Sequence, residues 1–251
     1  SISEFLLSAD WAPSDSAEGG GSVGAAIFIF GSVITCALAL AIATPFSLAT
    51  AIFMTEISPE LGKRFVQPAV EIFVGIPSVV YGWIGLTILV PLIKNIFNLH
   101  FGFSVLAAGI VLAVMIFPTI TSLAADALRS IPKSYRAASY GLGATRWQTI
   151  AKVVVPAAVT GLMTAVILGL ARAFGEALAV AMVIGKMRAF PTSLLSPTNN
   201  LTAAIAADMG GAMEGSEYNI ALWTMALLLF IISLACIFSI HFLTAKGGKQ
   251  A

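Results

Sequence analysis

Residues 126–156 read Asp126-Ala-Leu-Arg-Ser-Ile-Pro-Lys-Ser-Tyr-Arg-Ala-Ala-Ser-Tyr-Gly-Leu-Gly-Ala-Thr-Arg-Trp-Gln-Thr-Ile-Ala-Lys-Val-Val-Val-Pro156. The stretch is too polar to cross a membrane and too regularly patterned to be disordered. Ser130 and Pro132 mark a helix start. Ala137, Ala138 and Ser139 continue that helix, and Gly141 and Gly143 end it. Thr145 followed three residues later by Gln148 has the pattern of a capping box for a second helix. Pro156 sits where that second helix should end or bend. The spacing therefore predicts a helix–turn–helix hairpin. On these residues alone, the hairpin is either an ordinary surface connection or a docking element that presents two short helices to a partner's groove.

On both sides of this hairpin the chain is strongly apolar. Of 251 residues, 59% are hydrophobic and 10% charged, and the mean hydropathy is +0.97. Soluble domains carry roughly 25% charged residues, so the composition points to lipid as the solvent and to an all-α integral membrane protein. A spanning helix needs about 20 mainly apolar residues. Five stretches qualify, at about 24–54, 69–93, 104–125, 157–185 and 219–244. Pro45 lies inside the first. Gly75-Ile76-Pro77-Ser78 opens the second and reads either as a proline kink or as a true break, which is tolerated at membrane depth only where protein or water takes up the freed backbone groups.

Basic residues predict the orientation. Nine of thirteen (Lys63, Arg64, Arg129, Lys133, Arg136, Arg146, Lys152, Lys246 and Lys249) fall on one side of this five-span scheme. That side, with the C-terminus, is expected to be cytoplasmic. The N-terminal segment, residues 1–22, carries Glu4, Asp10, Asp15 and Glu18 and is expected outside; a helical membrane domain then occupies residues 23–251. An acidic segment does not usually cross unaided, so a sixth helix is expected to precede Ser1.

The sequence offers no enzyme chemistry. There is no phosphate-binding GxxxxGK[ST] loop. Cys36 and Cys236 lie in apolar runs without metal spacing and read as small buried hydrophobes, and His100 and His241 stand alone. Asn200-Leu201-Thr202 matches a glycosylation sequon, a pattern common by chance. A net charge of +1 gives no reason to expect nucleic acid.

Arg172 and Glu176 stand near the middle of the fourth apolar stretch. Insertion of an Arg at the bilayer centre costs about 2.5–3.5 kcal/mol. Read as one continuous helix, the i,i+4 spacing places both charges on one face. That geometry fits a self-neutralising pair, a pair facing another subunit, or a site on an ion pathway. An exposed helix pair is worth only about 0.3–0.5 kcal/mol, a poor reason to bury two charges. A guanidinium suits a tetrahedral oxyanion, because its planar fork binds two oxygens at once. Glu176 would hold Arg172 when the path is empty and keep anion binding weak enough for release.

The 126–156 hairpin resembles the coupling loop of ABC importer permeases, whose pattern is E-A-A, three residues, Gly, nine residues, Ile-x-Leu-Pro. Ala137-Ala138-Ser139 stand at E-A-A, Gly143 at the Gly, and Val153-x-Val155-Pro156 at the end. Ala137 departs from the Glu. Arg172-Ala-Phe-Gly175-Glu176-Ala resembles the R-A-x-G-E stretch of the phosphate (Pst) permease family. Glu71-Ile-Phe-Val-Gly75-Ile-Pro77-Ser78-Val-Val-Tyr81-Gly82 is similar to that family's I-P-S-V-V-Y-G run, and Phe5 to Pro13 looks like the external loop of its PstC branch rather than PstA.

The resemblance implies a type I (MetI-like) importer permease with five transmembrane helices here and six in the natural subunit. It implies a multi-pass protein of a bacterial or archaeal inner membrane that moves inorganic phosphate, with no catalytic residue, metal or cofactor on this chain. ATP-Mg would be bound by two separate PstB-like ATPase subunits, beside a PstA-like permease and an external PstS-like phosphate-binding protein met by loops that include residues 190–217. The pathway residues would be Arg172, Glu176, Ser78 and Tyr81. The coupling residues would be Tyr135, Arg136, Ala137, Ala138, Ser139, Gly143, Thr145 and Arg146. Rival readings are a permease for another oxyanion such as sulfate or phosphonate, an ion-coupled secondary transporter, and a structural membrane subunit.

Overall fold

A computed structural model describes residues 2–14 and 20–247. Asp15, Glu18 and Lys249, used above to orient the chain, lie outside the described residues, as do the side chains of Cys236 and His241.

Among the described residues, four helices are long and apolar enough to cross a membrane, and a fifth span results if a bent pair is counted as one. In chain order, α1 (Ile2–Leu7) is followed by a two-stranded antiparallel ribbon, β1 (Trp11–Ala12) and β2 (Ser22–Val23), with Trp11 paired to Val23. The first span is α2 (Ala26–Ile57), whose last turn, Phe53–Ile57, is π-helical. The chain then forms α3 (Gln67–Gly75), the second span α4 (Ser78–Ile96) and the third span α5 (Val105–Arg129). The hairpin helices are α6 (Lys133–Gly141) and α7 (Arg146–Ala157). The bent pair is α7 with α8 (Val159–Phe174), at 68°. The short helices α9 (Leu178–Val183) and α10 (Leu201–Asp208) precede the last span, which opens α11 (Glu217–Gly247).

Two expected spans change. The second begins at Ser78, not near residue 69. Gly75 ends α3, Ile76 is extended (ψ 128°) because the following proline ring excludes the helical region, and Pro77 at φ −59° starts the new helix. The GIPS stretch is thus a break and not a kink. The fourth helix ends at Phe174, about three turns short of the expected 185, and α9 is a separate short piece.

Prolines also set the local helix geometry. Three π-helical turns, Gly62–Val66, Gly85–Leu89 and Ile150–Val154, each end two residues before a proline: Pro68, Pro91 and Pro156. A proline in a helix has no N–H and its ring strikes the carbonyl four residues back. Widening the preceding turn removes that clash and lets the helix continue. Pro45 and Pro118 are instead accommodated inside α-helix.

The chain forms two compact units. The first comprises residues 1–39, 77–113 and 172–235. Its core includes Trp11, Phe28, Leu201, Leu222 and Met225, with Trp11 edge-on to Phe28 and Tyr218. The N-terminal segment is tied into it: Gly24 N–H donates to the Asp10 carbonyl (2.8 Å) and Ala25 N–H to that of Phe5 (2.7 Å). The Glu217 carboxylate accepts from the N–H groups of Ser14 (2.8 Å) and Gly21 (2.9 Å). The second unit comprises 40–76, 114–171 and 236–251 and contains the hairpin. Large apolar side chains such as Trp83, Ile88, Trp223, Leu227 and Phe230 are exposed on α4 and α11, as expected of helices solvated by lipid or covered by another subunit.

Candidate functional site

Two sites are built here, one in each unit. In the first unit, Ser78 and Tyr81 come from the first turn of α4, Arg172 from the last turn of α8, and Glu176 from the unwound link before α9. Tyr81 is buried, while Ser78, Arg172 and Glu176 are half-buried. Arg172 lies within electrostatic reach of the Tyr81 phenol. Close packing holds this arrangement. A Cβ built at Gly82 would lie 2.8 Å from both Ala179 Cα and Met182 Sδ, so the glycine lets α4 approach the backbone of α9.

The i,i+4 reading of Arg172 and Glu176 does not hold, because the helix stops between them. Glu176 does not stack one turn above Arg172 on a helix face. Its carboxylate accepts from the N–H of Ala179 (3.0 Å), and its backbone carbonyl accepts from the Thr202 hydroxyl (2.7 Å). The link is held from a distance by α10, whose N-terminus is buried and capped. Asn200 caps it, accepting from Ala203 N–H (2.8 Å), and Leu201 N–H donates to Ser32 Oγ (3.0 Å). A Cβ on Gly31 would strike the Asn199 carbonyl, so α2 can pass this loop only without a side chain there.

Thr202 and Asn200 were missed as site residues in the sequence, where they register only as a sequon. Asn200 is 4% exposed, which closes it to glycosylation in the folded chain. The connection at 190–217 is likewise not all external surface, since Thr198 to Ala204 are buried. Phe190, Leu194 and Met213 remain exposed.

In the second unit, the hairpin forms as the sequence predicts. α6 begins after Pro132 and ends at Gly141, and Gly143 turns the chain at φ +80°. The Thr145–Gln148 capping box is complete: Gln148 N–H donates to Thr145 Oγ1 (3.3 Å), and Thr145 N–H to Gln148 Oε1 (2.9 Å). Ser139 is buried and its hydroxyl pairs with that of Thr149 (2.9 Å), joining the two helices. Arg136 and Arg146 are engaged within the chain. The Arg136 guanidinium grips both oxygens of Glu56 and also donates to the carbonyls of Ile131 (2.8 Å) and Leu128 (3.0 Å). The Glu56 carboxylate raises the Arg136 pKa above its ordinary value, chiefly through that hydrogen bonding. Arg146 donates to the carbonyls of Glu56 and Ile57 (2.7 Å to the latter).

Of the eight predicted coupling residues, Tyr135, Ala137, Ala138, Gly143, Thr145 and Arg146 are exposed, Arg136 is half-buried and Ser139 is buried. Tyr135 and Ala138, with Ser134, Leu142, Ala144 and Val153, line an apolar groove of about 520 Å³. Leu142 at its rim is 90% exposed and Trp147 nearby in sequence is 67% exposed. Neither was singled out in the sequence, although a Leu between two turn glycines is a readable signal.

A set of apolar spans with a helical hairpin inserted between the third and fourth defines a membrane-embedded helical subunit. The chain belongs to the family of binding-protein-dependent transport system inner membrane components, whose profile matches residues 43–246. It is thus a permease component of an ABC transporter, a transport subunit and not an enzyme. It is 54% identical over 97% of its length to the probable ABC transporter permease protein YqgH of Bacillus subtilis, covering 78% of that protein. It is 39% identical to the phosphate transport system permease protein PstC of Haemophilus influenzae, over 91% of this chain and 76% of that one. Among solved structures, an inward-facing MetNI methionine ABC transporter matches with a TM-score of 0.66 at 22% identity, over 88% of this chain and 95% of that one. That likeness establishes the MetI-like fold.

Proposed function

We propose that this chain is the PstC-type permease subunit of an ATP-driven importer of inorganic phosphate. The observation that carries the proposal is Arg172, a permanently charged side chain retained half-buried in an apolar span, next to an unwound link. The PstC naming of several relatives supports the substrate. Irregular backbone at membrane depth is tolerated where it lines a cavity or is enclosed by protein, and the link at 175–177 is such a stretch. Arg172 contacts the passing oxyanion with its fork of donors, and Tyr81 and Ser78 lie alongside with hydroxyls. Glu176, anchored by Ala179, supplies the like charge that keeps binding weak.

The hairpin, with Tyr135, Ala138, Leu142 and Ala144 on its apolar groove, receives an ATPase subunit on the cytoplasmic side. Arg136, Ser139, Thr145 and Arg146 shape and hold the hairpin. ATP-Mg binds to those ATPase subunits, and a second permease and an external phosphate-binding protein complete the assembly. The N-terminal segment faces outward and the C-terminus inward, in keeping with the distribution of basic residues.

The test is uptake by the reconstituted assembly. Arg172→Ala abolishes phosphate uptake at retained ATPase binding, and sulfate competes poorly against phosphate in the unaltered assembly. Uptake that survives Arg172→Ala intact refutes the role of Arg172. Sulfate competing as well as phosphate refutes the substrate assignment.

A further inference from the structure

Glu56 closes the first span, α2, in its π-helical last turn, and it meets both helices of the hairpin. From α6, Arg136 binds its carboxylate with two nitrogens, and the same guanidinium holds the carbonyls of Leu128 and Ile131 at the end of α5. From α7, Arg146 caps the carbonyls of Glu56 and Ile57. The Arg136 and Glu56 side chains are 20% and 9% exposed, so this is not a solvated surface pair. The hairpin is continuous in sequence with α5 and α8 but reaches α2 only through space, across a separation of 80 residues. Beside the contact lies an open cleft of about 740 Å³ lined by Thr55, Pro59, Lys133, Ala137 and Tyr140. Glu56 and Arg136 line this cleft as well, so the two surfaces are not packed flush around the charged contact.

We propose that Glu56 is a positioning residue that transmits movement of the hairpin into the first span, with Arg136 as the latch. The proposal rests on the coupling role assigned to the hairpin above and adds a path that the sequence pattern of the hairpin does not contain. A bidentate, part-buried guanidinium–carboxylate contact fixes direction as well as distance, so α2 follows α6 as one body. Without it, α2 is driven only indirectly and ATP hydrolysis proceeds without a matched change in the spans.

The experiment compares Glu56→Gln with the unaltered chain in the full reconstituted assembly, reading phosphate taken up per ATP hydrolysed at equal amounts of assembled complex. Coupling energies between sites typically correspond to 5- to 150-fold effects, so the ratio is expected to fall by roughly 5-fold or more while basal ATP hydrolysis persists. An unchanged ratio in Glu56→Gln overturns the proposal. If Glu56→Gln does not assemble, Arg136→Lys takes its place: it keeps a charge near Glu56 but cannot hold both oxygens and two carbonyls. A normal ratio there overturns the proposal equally. Leu142→Glu separates this idea from its premise. Loss of ATPase binding in Leu142→Glu with a normal ratio in Glu56→Gln sinks the latch alone; normal assembly and uptake in Leu142→Glu sink the hairpin reading, and the latch with it.

Discussion

Replacing Gly82 with alanine adds one methyl group at the contact between α4 and α9, and the structure gives its consequence. The new Cβ would stand 2.8 Å from Ala179 Cα and from Met182 Sδ, and 3.2 Å from the Ala179 carbonyl oxygen. Optimal carbon–carbon separation is about 3.5–4.0 Å, so the helices must part by roughly 0.7 Å or more. The Met182 thioether can swing aside, because it ends a flexible side chain. Ala179 Cα is backbone and cannot yield without moving α9. Overpacking of this kind costs about 1–3 kcal/mol, roughly a 5- to 150-fold shift against the packed arrangement, at 1.4 kcal/mol per factor of ten. Because Tyr81 precedes Gly82 and the Glu176 carboxylate is anchored on Ala179 itself, the displacement falls directly on the proposed phosphate path. The assay is phosphate uptake together with thermal inactivation of the purified assembly. Gly82→Ala should lower both. Gly75→Ala serves as the control, because a Cβ there meets nothing within 4 Å. Wild-type uptake and stability in Gly82→Ala, or equal damage in Gly75→Ala, would refute the packing argument.

Thr202→Val deletes the hydroxyl that holds the Glu176 carbonyl, which should cost about 1–3 kcal/mol if that carbonyl is left unpaired, and should reduce uptake more than ATPase binding when the two are measured side by side. Ser139→Ala and Thr149→Val each orphan a buried hydroxyl in the hairpin, so the double variant should lose less stability in a thermal-inactivation cycle than the two single losses combined. Thr145→Ala removes the helix cap and should cost about 0.5–2 kcal/mol, read as weaker binding of the ATPase subunit by co-purification. Gly143→Ala places a side chain at φ +80°, costs about 1–2 kcal/mol, and should weaken the same co-purification.

The membrane class and the hairpin were legible because both rest on local rules. Apolar length marks the spans, and Pro132, Gly143 and the Thr145–Gln148 pair carry helix ends within a few residues of themselves. The break before Ser78 was half legible, since Ile76-Pro77 signals it but does not distinguish a kink from a stop. The break after Phe174 was not legible. Arg172-Ala-Phe-Gly-Glu-Ala is compatible with helix, and the unwound link is held by the Thr202 hydroxyl, 26 residues from the Glu176 carbonyl it binds. The same limit hid the Glu56 contact, whose two sides lie 80 and 90 residues apart. Charges that the sequence assigns to partners, Arg136 and Arg146, find partners inside the chain because only the fold brings Glu56 to them.

Phosphate entry into sealed proteoliposomes bearing the complete assembly, with binding protein outside and ATP either inside or omitted, tests the central claim most directly. The account predicts accumulation with ATP and none without it. Accumulation that proceeds equally without ATP, driven by an ion gradient, would contradict it.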